Sequence, residues 1–236
     1  GDRVPRLSQL GFKTVLRWLK KAGLRRPRRP GTRAKTPPSG LIWRKTPARP
    51  ARTISGMLPG FSSPAVGFDQ PFEMLEACHE RVQRSVDLLT RLAEHLHTVG
   101  HDASAQQAAA DVLRYFDVAA PHHHEDEERH VFPPLMALPQ DEAHAAVHAA
   151  VRQLQQDHLL MHRLWQSLRG ALARIASGQE ADFSHEDLTV LHRFTGLYAS
   201  HIELEESVIY PASRALLGAP QLQAMGEEMA GRRRAP

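Results

Sequence analysis

One pattern occurs twice in the chain, as HHEDEERHVFP at positions 123–133 and as HIELEESVIYP at positions 201–211. Both copies have the form His-x3-Glu-Glu-x2-aliphatic-aromatic-Pro. The histidine and the first glutamate of each copy are four residues apart, so on a helix they share one face, one turn apart. This spacing lets an imidazole and a carboxylate hold the same cation or neighbouring cations. The second copy also fixes the register of the first, because only His123 of three consecutive histidines matches His201.

Helical periodicity dominates the chain from about position 68 onward and predicts four long helices. Gly100 and Gly178 are expected to end the first and third helices, and Ser184 to cap the fourth. Pro121 should bend or bulge the second helix, and Pro133 should stop it. Long helices with short connections predict an all-α fold, an antiparallel up-down-up-down four-helix bundle. The expected ranges are 70–98, 103–132, 142–177 and 185–217, with a short last helix at 221–229.

The glutamates of the repeated pattern fall on the inward stripes of their helices. An ionised, unpaired carboxylate inside a bundle is costly, and a multivalent cation would compensate both glutamates at once. The other two helices add inward histidines, so all four helices contribute to one level of the bundle. Nitrogen and oxygen ligands without thiolate favour iron, manganese or zinc, and this number of ligands suits two six-coordinate metals bridged by the glutamates. The predicted metal ligands are His79, His123, Glu127, His158, His162, His201 and Glu205.

On these residues the chain resembles the hemerythrin-like HHE cation-binding bundles, over about 68–217. Hemerythrins hold two irons with one histidine from the first helix, His-x3-Glu from the second, His-x3-His from the third, and a histidine and a carboxylate from the fourth. The chain offers the same order of residue types: His79, His123 with Glu127, His158 with His162, and His201 with Glu205. The resemblance implies two non-haem iron ions bridged by carboxylates and an oxo or hydroxo group, with manganese or zinc as alternatives.

The resemblance also implies a small ligand, O₂, NO or a peroxide. The fourth helix departs from the oxygen-carrying hemerythrins, in which the histidine is followed by an aspartate at a longer spacing. The His201-x3-Glu205 form is similar to the broader bacterial HHE proteins, whose functions extend beyond oxygen transport. The sequence therefore favours binding or sensing of a small ligand over simple oxygen carriage.

Charge divides the chain into two parts. Of its 30 Lys and Arg and 26 Asp and Glu residues, 16 basic residues and one acid lie at positions 1–56, and all 15 histidines lie beyond them. Prolines and repulsion between like charges predict a disordered basic tail at 1–56, with a possible amphipathic helix at 7–24. The bundle is assigned to 57–236.

Composition also restricts the class of protein. The single cysteine, Cys78, fits a reducing compartment, and a cytoplasmic location is expected. No apolar run is long enough to predict a transmembrane segment. No glycine-rich phosphate loop is present, so no nucleotide or nucleic-acid partner is expected for the bundle. The sequence does not predict an oligomeric state.

Several alternatives stay open from the sequence. The leading function is a di-iron protein that binds or senses its small ligand; the second is an oxidoreductase that turns over peroxide, O₂ or NO at the same site. A third is a metal-free or single-zinc module that contacts acidic partners through the basic tail. Within the motif, His124 with Glu128 is the main rival to His123 with Glu127. Four aromatic residues are expected in the core first and as walls of a ligand site second: Phe116, Trp165, Phe194 and Tyr198.

Overall fold

The computed structural model describes residues 66–234. The basic tail, its possible helix and the domain boundary at position 57 lie outside the described residues, so these three stay predictions. Within 66–234 the chain is helical and contains no strand, which confirms the predicted all-α class. None of the helices in this part of the chain is long and apolar enough to cross a membrane.

Five helices follow one another along residues 66–234. α1 spans Pro71–Thr98, α3 spans Ala145–Ala176 and α5 spans Ala219–Arg234. α2 spans 103–136 and consists of Ala103–Arg114, the π-helical Tyr115–Ala119, Ala120–Asp126, the π-helical Glu127–Val131 and Phe132–Met136. α4 spans 185–216 and consists of His185–Leu204, the π-helical Glu205–Ile209 and Tyr210–Leu216. α1 and α3 each pack against both α2 and α4, so the four long helices surround a shared core.

The predicted helix ends are set by local chemistry. The hydroxyl of Ser184 accepts a hydrogen bond from the backbone N–H of Asp187 at 3.1 Å, and the carboxylate of Asp187 accepts one from the backbone N–H of Ser184 at 3.0 Å. This reciprocal pair is a capping box, and it starts α4 where predicted. Gly100 and Gly178 have φ angles of 100° and 75°, in the left-handed region that glycine adopts without strain. Both glycine terminators are therefore confirmed.

Each π-helical segment ends two residues before a proline, at Pro121, Pro133 and Pro211. Proline offers no N–H to the carbonyl four residues earlier, and a widened turn accommodates it within a continuing helix. The bulge predicted for Pro121 is confirmed. The prediction that Pro133 stops the second helix is wrong, because the π-helical turn before it lets Phe132–Met136 continue with prolines in its first turn.

The core consists of two apolar clusters with a polar layer between them. Along α1, Leu75 belongs to one cluster and Val82 to the other, and His79 lies between them. Along α3, His158 likewise separates Leu154 from Met161. α2 and α4 repeat the arrangement with the buried residues of the His-x3-Glu motifs. The fold thus brings histidines and glutamates from four helices to one depth in the core.

Candidate metal centre

Six of the seven predicted ligands meet in the polar layer and form what we call the His–Glu cluster: His79, His123, Glu127, His158, His201 and Glu205. All six side chains are buried. Their nitrogen and oxygen atoms form two groups, each with its atoms within 4.8 Å of one another. His79 and His123 belong to the first group and His158 and His201 to the second, and both groups contain the same two glutamates.

The two glutamates lie between the histidines and contact both sides. Nε2 of His79 is 3.1 Å from Oε2 of Glu205, and Nε2 of His201 is 2.9 Å from Oε1 of the same carboxylate. Glu127 has Oε1 at 3.6 Å from Nε2 of His123 and Oε2 at 3.4 Å from Nε2 of His158. Each carboxylate can therefore reach both halves of the cluster.

The donor atoms fit a metal in their chemistry and in their lack of other partners. Within residues 66–234, neither oxygen of Glu205, nor Oε2 of Glu127, nor Nδ1 of His123 has a hydrogen-bond partner of good geometry. Buried carboxylate oxygens without partners are unfavourable in a protein core. Cations held by the imidazole nitrogens would compensate them, which agrees with the nitrogen and oxygen donors that iron, manganese and zinc accept.

Outer carboxylates hold three of the histidine rings with Nε2 directed at the cluster. Nδ1 of His79 is 2.9 Å from Oε1 of Glu206, and Nδ1 of His158 is 3.0 Å from Oε1 of Glu128. Nδ1 of His201 is 3.4 Å from Oδ2 of Asp157. A carboxylate on the far nitrogen fixes the tautomer and orientation of a metal-binding histidine.

Glu128 and Glu206 each directly follow the cluster glutamate of their copy of the motif, and in the structure both take this supporting position. Asp157 was not identified from the sequence. It is partly buried and directly precedes His158, but it lies outside both copies of the repeated motif, so the motif could not reveal it.

The pKa values in the cluster are set by burial and by the charges of the neighbouring side chains. Burial lowers the pKa values of His79, His158 and His201, but the surrounding carboxylates outweigh it and raise them to about 10, 11 and 9. Burial and the neighbouring charge of Glu205 raise the pKa of Glu127 to about 7. Burial also acts to raise the pKa of Glu205, but the histidines around it hold that pKa well below its usual value. Protons on the histidines thus take the place that a metal would fill.

His162, the seventh predicted ligand, is not brought into the cluster. Its side chain is exposed and it belongs to neither group. The inward stripe of α3 continues from His158 through Met161 and Trp165, which are buried, and His162 falls to the side of that stripe.

His124 lies close to the cluster instead. Its ring stacks on that of His158 with centroids 4.0 Å apart, and its nitrogen forms a further group with those of His158 and His201. The alternative to the pair His123 and Glu127 was the pair His124 and Glu128. In the structure Glu128 contacts His158. The duplicated motif could not reveal this histidine, because the second copy has Ile202 at the matching position.

The aromatic residue of the repeated motif is Phe132 in the first copy and Tyr210 in the second. Both side chains contact residues of the His–Glu cluster. In the second copy the hydroxyl of Tyr210 donates a hydrogen bond to Oε1 of Glu127 at 2.5 Å and lies 3.1 Å from Nε2 of His79. In the first copy the ring of Phe132 stacks on His158 with centroids 5.7 Å apart. The sequence predicted neither residue at the site, although the spacing shared by the two copies of the motif places both beside it.

A cavity of about 780 Å³ leads to one side of the cluster. Its wall includes His124 and His158, together with Leu159 and His162. The four aromatic residues expected mainly in the core, Phe116, Trp165, Phe194 and Tyr198, belong to the larger apolar cluster and line this cavity as well. Their position in the core is therefore confirmed, and they also line the cavity; a ligand bound there stays a prediction.

Comparison of the sequence with known proteins places the chain in a family. The family model for the hemerythrin HHE cation-binding domain matches residues 70–213. An uncharacterized protein of Haemophilus influenzae is 34% identical over 167 residues, which cover 70% of this chain and 91% of that protein. The matched range contains every residue of the His–Glu cluster, and the chain belongs to the hemerythrin HHE cation-binding domain family.

Proposed function

We propose that this protein binds two non-haem iron ions in the His–Glu cluster and uses them to bind or sense O₂, NO or a peroxide. The observation that carries the proposal is the sharing of Glu127 and Glu205 by two groups of possible ligands. Two carboxylates between two pairs of histidines are what a pair of bridged metals needs, whereas one metal would leave half of the donors unused. Together with this function we propose the up-down-up-down order of the bundle. In that order, successive helices run past the site in alternating directions.

Iron is the proposed metal because the donors are imidazole and carboxylate. The cluster contains no thiolate, and burial raises the pKa of the Cys78 thiol, which favours its neutral form. Manganese and zinc accept the same donors. When bound, iron would supply a redox change and coordination positions for an incoming molecule.

The protein's own residues would control access and orientation. Glu206, Glu128 and Asp157 hold the imidazoles in place from outside. The aromatic walls of the cavity favour a small neutral ligand over a charged one, because they offer it apolar contacts close to His158. This arrangement supports small-ligand binding; the cytoplasmic location stays a prediction.

Elemental analysis of anaerobically iron-loaded protein tests the proposal, with optical spectra recorded before and after O₂ is admitted. We expect two irons per chain and near-ultraviolet ligand-to-metal bands after oxidation. A spectrum that reverses on deoxygenation would support reversible binding. One zinc per chain, or no metal after iron loading, would show that the cluster is not a di-iron site.

A di-metal oxidoreductase that acts on peroxide, O₂ or NO is the second candidate. The size of the cavity favours it, since about 780 Å³ is far more space than a diatomic molecule needs and falls in the range of substrate pockets. Steady-state turnover of peroxide, O₂ or NO with a supplied reductant would distinguish it from a binding protein. The absence of turnover under conditions in which the ligand binds would exclude it.

A further inference from the structure

We propose that the cavity beside the His–Glu cluster binds a second ligand, a neutral aromatic molecule with a hydroxyl group, of the phenol or hydroquinone class. This ligand is additional to O₂, NO or a peroxide, and the cavity would take it whether or not the cluster contains metal. Its class follows from three properties of the cavity: the size, the aromatic rings in the wall and the charges in the wall.

The cavity extends from the protein surface to the cluster. Its wall includes Leu159 and Gln166, which are exposed, and His158, which is buried in the cluster. Its volume of about 780 Å³ far exceeds that of a diatomic molecule and lies in the range of pockets that enclose organic ligands. An organic molecule can therefore enter from solvent and fill the space that O₂ or NO would leave.

Four aromatic side chains form a continuous group in the wall. The ring of Phe116 has its centroid 5.0 Å from those of Trp165 and Phe194, and the ring of Tyr198 lies 5.3 Å from that of Phe194. All four side chains are at most 5% exposed, so close packing holds them in place. Such rings offer stacking and edge contacts to another ring. The wall therefore favours a flat aromatic ligand.

The charges in the wall disfavour an anionic ligand. Of the residues between 66 and 234, three with carboxylates line the cavity and no Lys or Arg does; the three are Asp117, Glu125 and Glu128. An anion would be repelled by these carboxylates and would find no cationic side chain of Lys or Arg in the wall. Carboxylic acids, phosphates and nucleotides are therefore poor candidates for this cavity.

The same carboxylates already have partners, which disfavours a cationic ligand. The contacts are Asp117 with Arg169 at 2.9 Å, Glu125 with Arg129 at 2.6 Å and Glu128 with Gln155 at 2.9 Å. A cation would have to displace such partners to gain a carboxylate of its own. A neutral molecule needs no exchange of charged partners.

Two residues in the wall beside the cluster can bind a hydroxyl group. The carboxylate of Glu128 accepts about four hydrogen bonds in all, and its contacts with His158 and Gln155 use only part of that capacity. The ring of His124 stacks on that of His158 with centroids 4.0 Å apart, and a neutral imidazole offers one donor and one acceptor. A phenolic hydroxyl both donates and accepts, so it matches these groups, whereas a hydrocarbon would leave them without a partner.

Isothermal titration calorimetry of the full-length protein with naphthalene and three derivatives tests each part of this assignment. 2-Naphthol is neutral and has a hydroxyl group, naphthalene lacks that group, 2-naphthoate is an anion and 2-naphthylmethylammonium is a cation. We expect one 2-naphthol per chain and at least about tenfold weaker binding of the other three, the scale of one hydrogen bond to a charged group. The same result is expected without metal and after loading with Zn²⁺.

Trp165 reports where the probe binds. Replacing the other two tryptophans, as Trp18→Phe and Trp43→Phe, leaves Trp165 as the single tryptophan of the chain. 2-Naphthol absorbs light that tryptophan emits, so the bound probe should quench the emission of Trp165 almost completely, with the affinity that calorimetry gives. Calorimetric binding with little quenching would place the probe outside the cavity and overturn the proposal.

A lysine placed in the wall tests the role of charge. Gln166→Lys should strengthen the binding of 2-naphthoate by about fivefold, the effect of two nearby opposite charges in water, and leave that of 2-naphthol nearly unchanged. Gln156→Lys makes the same change at an exposed position of α3 outside the wall, so it should alter neither affinity. Both glutamines are exposed, and neither substitution should disturb the core.

Several results would overturn the proposal. One is no binding of 2-naphthol, and another is binding of any of the other three compounds that is equally tight. Binding of 2-naphthol only after Zn²⁺ loading would show coordination to the metal instead of a site in the cavity. Equal effects of the two lysine variants on 2-naphthoate would place the probe away from Gln166. Elemental analysis measures the metal content separately, so the proposed two-metal function can fail while this proposal holds, and the reverse.

Discussion

The buried carboxylate of Asp126 accepts a hydrogen bond from Nη2 of Arg233 at 2.5 Å and another from Arg232. This contact ties α5 to α2 at the residue directly before Glu127. The guanidinium of Arg233 also lies 5.2 Å from the ring centre of Phe68. α5 lies beyond residues 70–213 matched by the family model, so a segment outside that match contacts α2 next to the His–Glu cluster.

Arg233→Gln should lower the free energy of unfolding by about 1–3 kcal/mol, because it leaves a buried carboxylate without one of its charged partners. Arg234→Gln removes the neighbouring positive charge from an exposed side chain and should change stability little. Chemical denaturation of the metal-free variants measures both effects. Equal stability of the two variants would show that the Asp126 contact does not hold α5.

Glu205→Gln should reduce metal binding at both positions, since Glu205 belongs to both ligand groups and an amide is a weaker, neutral donor. Glu206→Gln is the matched control one residue away. Glu206 contacts only the outer nitrogen of His79, so its loss should weaken affinity by about 10–100-fold at most. Titration with Fe²⁺ under anaerobic conditions compares the two. A Glu205→Gln variant that still binds two irons with unchanged affinity would exclude a bridging role.

The sequence allowed most of the cluster to be predicted, because duplication carries information that a single motif lacks. The repeated His-x3-Glu spacing identified His123, Glu127, His201 and Glu205, and helical periodicity placed His79 and His158 on inward faces. The structure brings these six together, whereas their role as ligands stays a prediction. Where duplication was absent, as for His162 on α3, spacing alone did not settle which way the side chain points.

Features that depend on irregular backbone could not be predicted. The π-helical turns before Pro133 and Pro211 shift the following residues around their helix, and no regular periodicity describes that shift. One consequence is that α2 continues past its prolines. The contacts of Tyr210 with Glu127 and His79 likewise join residues from three helices, which only the packed fold shows.

His162→Ala tests the one predicted metal ligand that the structure places outside the His–Glu cluster. Because His162 is exposed and His158 buried, His162→Ala should leave the iron content unchanged, whereas His158→Ala should lower it. The two residues are one turn apart on α3 and lose the same group, so each controls for the other. Elemental analysis after anaerobic loading and gel filtration provides the comparison. An equal loss of iron in both variants would restore His162 as a ligand.

The gap in melting temperature between metal-loaded and metal-free protein should widen as pH rises above 7. In the metal-free fold the pKa values of His79, His158 and His201 are raised to about 10, 11 and 9, above the value near 6.5 expected for unfolded chains. Because these pKa values are raised on folding, the folded state binds more protons than the unfolded state at pH values between the unfolded and the folded pKa. Their contribution to stability is complete below about pH 6.5 and is lost as pH rises through 9 to 11.

Metal-loaded protein should not show this loss, since a coordinated histidine is already neutral and the metal supplies the positive charge. Metal uptake at pH 7 should accordingly release protons, and the affinity should increase with pH. Differential scanning calorimetry of both forms between pH 7 and 10, with Zn²⁺ as a redox-inert metal, measures the widening. A parallel fall of the two melting temperatures would mean that the histidines of the cluster do not exchange protons for metal.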